Sequence, residues 1–266
     1  MTRVTICKSP DDVGYHASRQ IIEAMQRTLA QSDRFVLGLP TGSTPVPLYG
    51  YLISAFYEGE IDFARAYTFN LDEYVGLSPN HEQSYRYFMM QNLFRFINIP
   101  PQHTFMPNGL ARDIEQECAR YEGLIESMGV DLWVLGIGRN EHIAFNEPGS
   151  SRDSRTRKVT LSHDTIEANA RFFASQEHVP TEALSVGIST VLDHSREIIL
   201  LATGLTKAQA VANALLGPIS GWIPASHLRE HAHCTFYLDE QAATTFEEVV
   251  AEMGCPEYIE VVRPEC

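Results

Sequence analysis

The densest run of chemistry-bearing side chains is Gly136-Ile137-Gly138-Arg139-Asn140-Glu141-His142-Ile143-Ala144-Phe145-Asn146-Glu147-Pro148-Gly149-Ser150. It sets one imidazole, His142, beside Glu141, with Asn140 shortly before it and Glu147 shortly after. An imidazole whose tautomer is fixed by a carboxylate or amide is a proton shuttle at neutral pH. A lone histidine is ordinarily a satisfied core residue, but glycines, polar side chains and a preceding apolar run coincide here. A second run, Asn70-Leu71-Asp72-Glu73-Tyr74-Val75-Gly76-Leu77, ends an apolar segment in adjacent carboxylates. On extended chain these point to opposite sides, so at most one of the pair faces a ligand. A carboxylate so placed suits a general base that removes a proton next to a carbonyl.

A third run, Gly38-Leu39-Pro40-Thr41-Gly42-Ser43-Thr44-Pro45, carries small hydroxyl residues and glycine. At a strand-to-helix turn these can present backbone N–H groups and a helix N-terminus to an anion. It is neither GxGxxG nor a Walker A loop. An ordinary tight turn, with Thr44 as N-cap and Pro45 as first helical residue, fits equally well. Lys207 and Arg171 are cations able to meet a phosphate. Arg152, Arg155, Arg157 and Lys158, just after Ser150 and Ser151, form either a solvated face or a second anion site. No Cys/His/Asp/Glu set has zinc spacing, His231 and His233 being only an i, i+2 pair, and no metal is expected.

The elements that must position these residues alternate. Strands are predicted at Val4–Cys7, Phe35–Leu39, Tyr67–Leu71, Asp131–Leu135, Glu197–Leu201 and Cys234–Leu238. Helical apolar spacing runs from Asp11 to Gln31 and near 44–58, 82–96, 111–128, 163–171 and 206–216. Such alternation implies an α/β fold: a single-domain, three-layer, doubly wound, mostly parallel sheet with helices on both faces, Rossmann-like. One domain over 1–266 is expected, with a C-terminal tail from about 240. Ligands of such sheets bind beyond the carboxyl ends of the strands, where the runs above lie.

The chain has 266 residues, a net charge of −14 and 44% hydrophobic residues, as in an ordinary globular protein. The negative charge argues against nucleic acid as a partner but leaves room for a small phosphorylated ligand. No apolar run approaches the roughly 20 residues that span a bilayer, and the N-terminus lacks a signal peptide's apolar region, so a soluble, cytoplasmic protein without a membrane partner is expected. The five cysteines form no CxxC pair and read as reduced thiols, with a Cys255–Cys266 link unsupported by any spacing argument.

Together these runs resemble the glucosamine-6-phosphate deaminase (glucosamine-6-phosphate isomerase) family. Leu37–Pro45, Phe69–Leu77, Gly136–Ser150, Ser154–Arg157, Ala168–Phe173 and Ala183–Ile188 match in order along nearly the whole chain. The resemblance implies conversion of glucosamine 6-phosphate and water to fructose 6-phosphate and ammonia, without organic cofactor or metal. It implies Asp72 as the base moving a proton between C2 and C1 through an enolamine, and His142 as the group opening the sugar ring. Glu147 and Asn140 would hold that imidazole, and Thr41, Gly42, Ser43, Thr44, Arg171 and Lys207 would surround the phosphate. By the same analogy the chain is a homo-oligomer, a hexamer, whose effector N-acetylglucosamine 6-phosphate would meet Ser150, Arg157, Lys158 and Tyr121.

Three positions depart from the family pattern. Asn140 stands where many members have Asp, and it lacks the charge that raises an imidazole pKa. Glu141 stands where the motif has Gly; if that position needs positive φ, Glu there costs roughly 1–2 kcal/mol. Its carboxylate would also stabilise an imidazolium if it approached His142. Val159 stands at the expected effector Lys, with Lys158 one residue early and therefore on the other face of a strand. Two alternatives follow: a sugar-phosphate-binding protein disabled through Glu141, or a 6-phosphogluconolactonase-like hydrolase. Asp72-Glu73-Tyr74 and Asn146-Glu147-Pro148 favour the deaminase.

Overall fold

The computed structural model describes residues 1–170, 173 and 179–264. Its main sheet contains β1 (Thr2–Cys7), β2 (Phe35–Leu39), β3 (Ala66–Asn70), β5 (Thr104–Phe105), β6 (Val130–Gly136), β9 (Ser195–Ala202), β10 (Cys234–Asp239) and β11 (Ile259–Val262). The order across the sheet is β11-β1-β10-β9-β6-β2-β3-β5, and every pairing is parallel. Successive residues of one strand feed opposite cores. Leu132 and Val134 of β6 join one cluster, while Trp133 and Leu135 join the other. A strand buried on both faces must be apolar throughout, which is why these segments read as continuous runs.

The helices α1 (Pro10–Leu29), α2 (Val46–Tyr57), α3 (Tyr85–Asn92), α4 (Ile114–Met128), α5 (His163–Ala170), α6 (Ile188–Asp193), α7 (Ala208–Leu216) and α8 (Glu240–Met253) complete the layers. The Ser9 side chain caps α1 by accepting from the Asp12 N–H, and Val13, Ala17, Ile21, Ile22 and Met25 form its buried stripe. Gly38 in β2 makes room for Trp133 of the neighbouring strand. A Cβ at Gly38 would lie 1.7 Å from the indole ring. No helix among the described residues is long and apolar enough to cross a membrane.

Two expectations are corrected. The segment from about 240 is no tail: α8 buries Ala242, Ala243 and Phe246, and β11 pairs with β1 as the sheet's edge strand. The helix expected near 82–96 shortens to α3 plus a 3-10 turn at Phe94–Phe96. The run after Asn70 is a strand, β4 (Asp72–Tyr74), in a small antiparallel sheet ordered β4-β8-β7 with β8 (Glu182–Ser185) and β7 (Arg157–Thr160).

Candidate active site

The three runs singled out by residue type follow β6, β3 and β2, and Lys207 follows β9; these four strands are adjacent in the sheet. After β2, Gly42 takes φ +98° and the chain enters α2 through Pro45, the N-cap. No side chain caps this helix, so Thr44 is not the cap that its sequence position suggests. Thr41, Ser43 and Thr44 lie around the N-terminus of α2, and their hydroxyls donate no side-chain hydrogen bond to any described residue.

Asp72 opens β4 and is 7% exposed. Burial, with Glu73 beside it, pushes its carboxyl up to about 8. Glu73 points the other way, as extended chain requires, and accepts the backbone N–H groups of Tyr74, Tyr85 and Arg86. It thus closes the first turn of α3, whereas the Asp72 carboxyl makes none of these bonds.

His142 lies in a tight turn after β6, closed by Gly138 N–H to the His142 carbonyl at 2.9 Å and Glu141 N–H to the Gly138 carbonyl at 3.1 Å. A Cβ at Gly138 would sit 2.2 Å from the imidazole, so only glycine permits this packing. The imidazole donates through Nδ1 to Asn140 Oδ1 at 2.6 Å, which leaves Nε2 as the acceptor nitrogen. Burial first, and the Lys207 charge second, push His142 down to about 4, while Glu147 pulls in the opposite direction. His142 is therefore a neutral imidazole at physiological pH.

Glu147 does not touch the imidazole. Its carboxylate accepts from the Ser162 N–H at 3.1 Å, from Ser162 Oγ at 2.9 Å and from Thr165 Oγ1, at the start of α5. It acts on His142 only as a charge at a distance. Glu141 has φ +62°, the left-handed conformation anticipated for this position, but its carboxylate turns to Asn213 Nδ2 at 2.7 Å instead of approaching His142. Lys207 reaches across from the start of α7 and donates to the Ile137 carbonyl at 2.6 Å, beside the His142 turn. Arg171 lies outside the described residues.

The family model for glucosamine-6-phosphate isomerases/6-phosphogluconolactonase matches residues 8–237. The chain belongs to this family. Glucosamine-6-phosphate deaminase 2 of Giardia intestinalis is 49% identical over 247 residues, 92% of each chain. Glucosamine-6-phosphate deaminase 2 of Bacillus subtilis is 51% identical over 210 residues, 78% of this chain and 84% of the relative. A solved monomeric glucosamine-6-phosphate deaminase superposes with TM-score 0.88 at 42% identity, covering 92% of this chain and all of that one. The 6-phosphogluconolactonase of Thermotoga maritima, at 22% identity and TM-score 0.70 over 89% of this chain and 99% of that one, shares the fold alone.

In this family member the four residues expected around an effector separate. Ser150 and Arg157 meet, the guanidinium donating to Ser150 Oγ at 3.4 Å and to Asn146 Oδ1 at 2.8 Å. Lys158 is on the opposite face of β7, paired with Glu182. Tyr121 is fully buried and donates to the Asn70 carbonyl at 2.7 Å, so it serves the core and not an exposed anion site. Arg152 pairs with Glu230 and Asp193, and Arg155 with Asp193, so these arginines of the basic run are knit into the surface. Cys7, Cys118 and Cys234 are buried free thiols, Cys255 is exposed, and Cys266 lies outside the described residues.

Two positioning groups escaped the sequence reading. Ser185 Oγ accepts from the Phe145 N–H at 3.1 Å, while Asp72 faces Ser185 across the β4–β8 ladder, so one residue of β8 contacts both site loops. Phe145 also packs on Tyr74 and Tyr85 at 5.9 and 6.1 Å between centroids. Asp239, the α8 cap, accepts from the Gly204 N–H at 2.9 Å and so fixes the turn that leads to Lys207. Ser185 lies in the matching segment Ala183–Ile188 but with no role attached, and Asp239 lies in no motif; only the pairing of distant strands shows what they do.

Proposed function

We infer that this family member converts glucosamine 6-phosphate and water to fructose 6-phosphate and ammonia. The observation that carries the reading is a buried carboxyl and a neutral, tautomer-fixed imidazole at the ends of β3 and β6, with an anion-ready loop on β2 between them. Its relatives at 43–54% identity are named glucosamine-6-phosphate deaminases.

The phosphate is proposed to sit at the N-terminus of α2 among Thr41, Gly42, Ser43 and Thr44, with Lys207 and Arg171 supplying charge. His142, with Asn140 on Nδ1, relays a proton between the C1 hydroxyl and the ring oxygen through Nε2, which opens the ring. The free aldehyde acidifies the C2 proton, and Asp72 removes it to give an enolamine. Asp72 returns the proton to C1, leaving an imine at C2. Water adds to that carbon, ammonia departs and the ketose remains. A substrate ammonium at C2 brings positive charge beside Asp72 and favours the carboxylate that this step needs. Glu147 supports the arrangement through α5.

Glu141 offers no obstacle to this chemistry, because Asn213 holds its carboxylate. Activation by N-acetylglucosamine 6-phosphate at Ser150 and Arg157, a hexameric assembly and a cytoplasmic location are further proposals. The solved deaminase at 42% identity is described as monomeric, which weighs against the hexamer. The test is release of ammonia and fructose 6-phosphate from purified protein, with and without the effector, alongside sedimentation. Equimolar products support the reading. No products, with glucosamine 6-phosphate still raising the melting temperature, would mean a binding protein.

A further inference from the structure

Among the described residues only Glu141 and Ala144 combine a side chain with positive φ, at +62° and +49°, and both lie in the His142 loop. Left-handed backbone is strained for a non-glycine residue, and such strain persists only where the surroundings over-determine it. Three bonds hold Glu141. Its N–H donates to the Gly138 carbonyl, its carbonyl accepts from the Ala225 N–H at 3.0 Å, and its Oε1 accepts from Asn213 Nδ2 at 2.7 Å. The Asn213 amide is itself oriented, since its Oδ1 accepts from Gln209 Nε2 at 2.8 Å one turn earlier on α7. The same helix begins next to Lys207, whose Nζ bonds the Ile137 carbonyl. The turn carrying Asn140 and His142 is thus tied to α7 at two points, by Lys207 just before it at Ile137 and by Asn213 within it at Glu141.

These two ties are not equivalent. A phosphate held by Lys207 competes with the Ile137 carbonyl for the ammonium, whereas the Glu141–Asn213 bond involves no group that meets substrate. We propose that Glu141 is a positioning residue, whose bond to Asn213 keeps the Asn140–His142 turn in register while Lys207 engages the substrate phosphate. The proposal rests on the deaminase reading of the site. The charges acting on the imidazole are those of Lys207 and Glu147, so Glu141 works through a hydrogen bond and not through its charge. A neutral acceptor at this position should therefore suffice.

The test is ammonia release from glucosamine 6-phosphate by the wild type, Glu141→Ala, Glu141→Gln, Asn213→Ala and the double Ala variant. It is paired with nitrogen-15 spectra of His142 in the free proteins. Glu141→Ala is expected to lower kcat about tenfold with KM within about twofold, a loss in keeping with a small misplacement of a reacting group. Glu141→Gln should recover most of kcat, Asn213→Ala should match Glu141→Ala, and the double variant should be no slower than either. The His142 spectrum should show one Nδ1–H tautomer in the wild type and Glu141→Gln, and a mixture in Glu141→Ala. If Glu141→Ala does not fold, Glu141→Gly removes the tie and the strain together and should show the same loss of kcat. Wild-type kcat in both of these variants, equal losses in Gln and Ala, or additive losses in the double variant would overturn the inference. A wild-type protein that releases no ammonia would instead refute the functional reading, and the tautomer comparison would still judge the role of Glu141.

Discussion

The His142 imidazole donates through Nδ1 to Oδ1 of Asn140 at 2.6 Å, and Nε2 has no hydrogen-bond partner among the described residues. An amide fixes the tautomer without adding charge, so burial and Lys207 set the pKa unopposed by a contacting carboxylate. Asn140→Asp is expected to raise the His142 pKa from about 4, because a carboxylate at Nδ1 favours imidazolium. Titration of the imidazole resonances measures this. An unmoved midpoint would show that residue 140 does not touch the ring.

Asp72 carries a stability cost that depends on pH. Its folded pKa, about 8, is above the ordinary carboxyl value, so the folded state holds a proton that the unfolded chain has released. Stability from this group is fully present below about pH 4 and is lost as pH rises towards 8. Asp72→Asn should therefore be more stable than wild type at pH 8, by an amount on the order of a few kcal/mol. That advantage should shrink steadily towards pH 5. Urea unfolding at both pH values decides it; a gain independent of pH would mean that Asp72 is ionised in the folded protein.

Lys207 bears on two observables at once. Lys207→Gln is expected to raise KM for the phosphorylated substrate at least about tenfold, as loss of a charge-assisted contact should. It should also raise the His142 pKa, since a positive charge that disfavours imidazolium is gone. A change in KM with no change at His142 would place the ammonium away from the ring.

Glu147 anchors α5 through Ser162 and Thr165. Glu147→Ala leaves the buried Thr165 hydroxyl and the half-buried Ser162 donors without this partner and is expected to cost about 1–3 kcal/mol of stability. The imidazole's bond to Asn140 should survive this change, which the His142 tautomer spectrum reports. A variant as stable as wild type would contradict the anchoring role.

Legibility in the sequence followed burial. β2 and β6 are apolar on both faces, and Phe35–Leu39 read correctly to the residue because its run is bounded by Arg34 and Pro40. Asp72 and His142 were visible because polar groups directly follow such runs. β4, β7 and β8 were not, since strands of three or four residues carry too little periodicity and are defined by partners distant in sequence. The α8–β11 segment was missed for a related reason: its buried face is mostly alanine, and Ile259 alone is buried in β11. The side of the chain towards which Glu141 and Glu147 turn depends on Asn213, Ser162 and Thr165, and no local spacing encodes that.

The most direct test of the proposed chemistry uses glucosamine 6-phosphate deuterated at C2, with wild type and Asp72→Asn compared in one assay for ammonia and fructose 6-phosphate. The account predicts equimolar products, a slower reaction than with protiated substrate and some deuterium carried to C1. In Asp72→Asn, turnover should fall by at least about 100-fold, as expected for a lost general base, with phosphate binding nearly intact. Undiminished turnover in Asp72→Asn, or ammonia without the ketose from wild type, would contradict it.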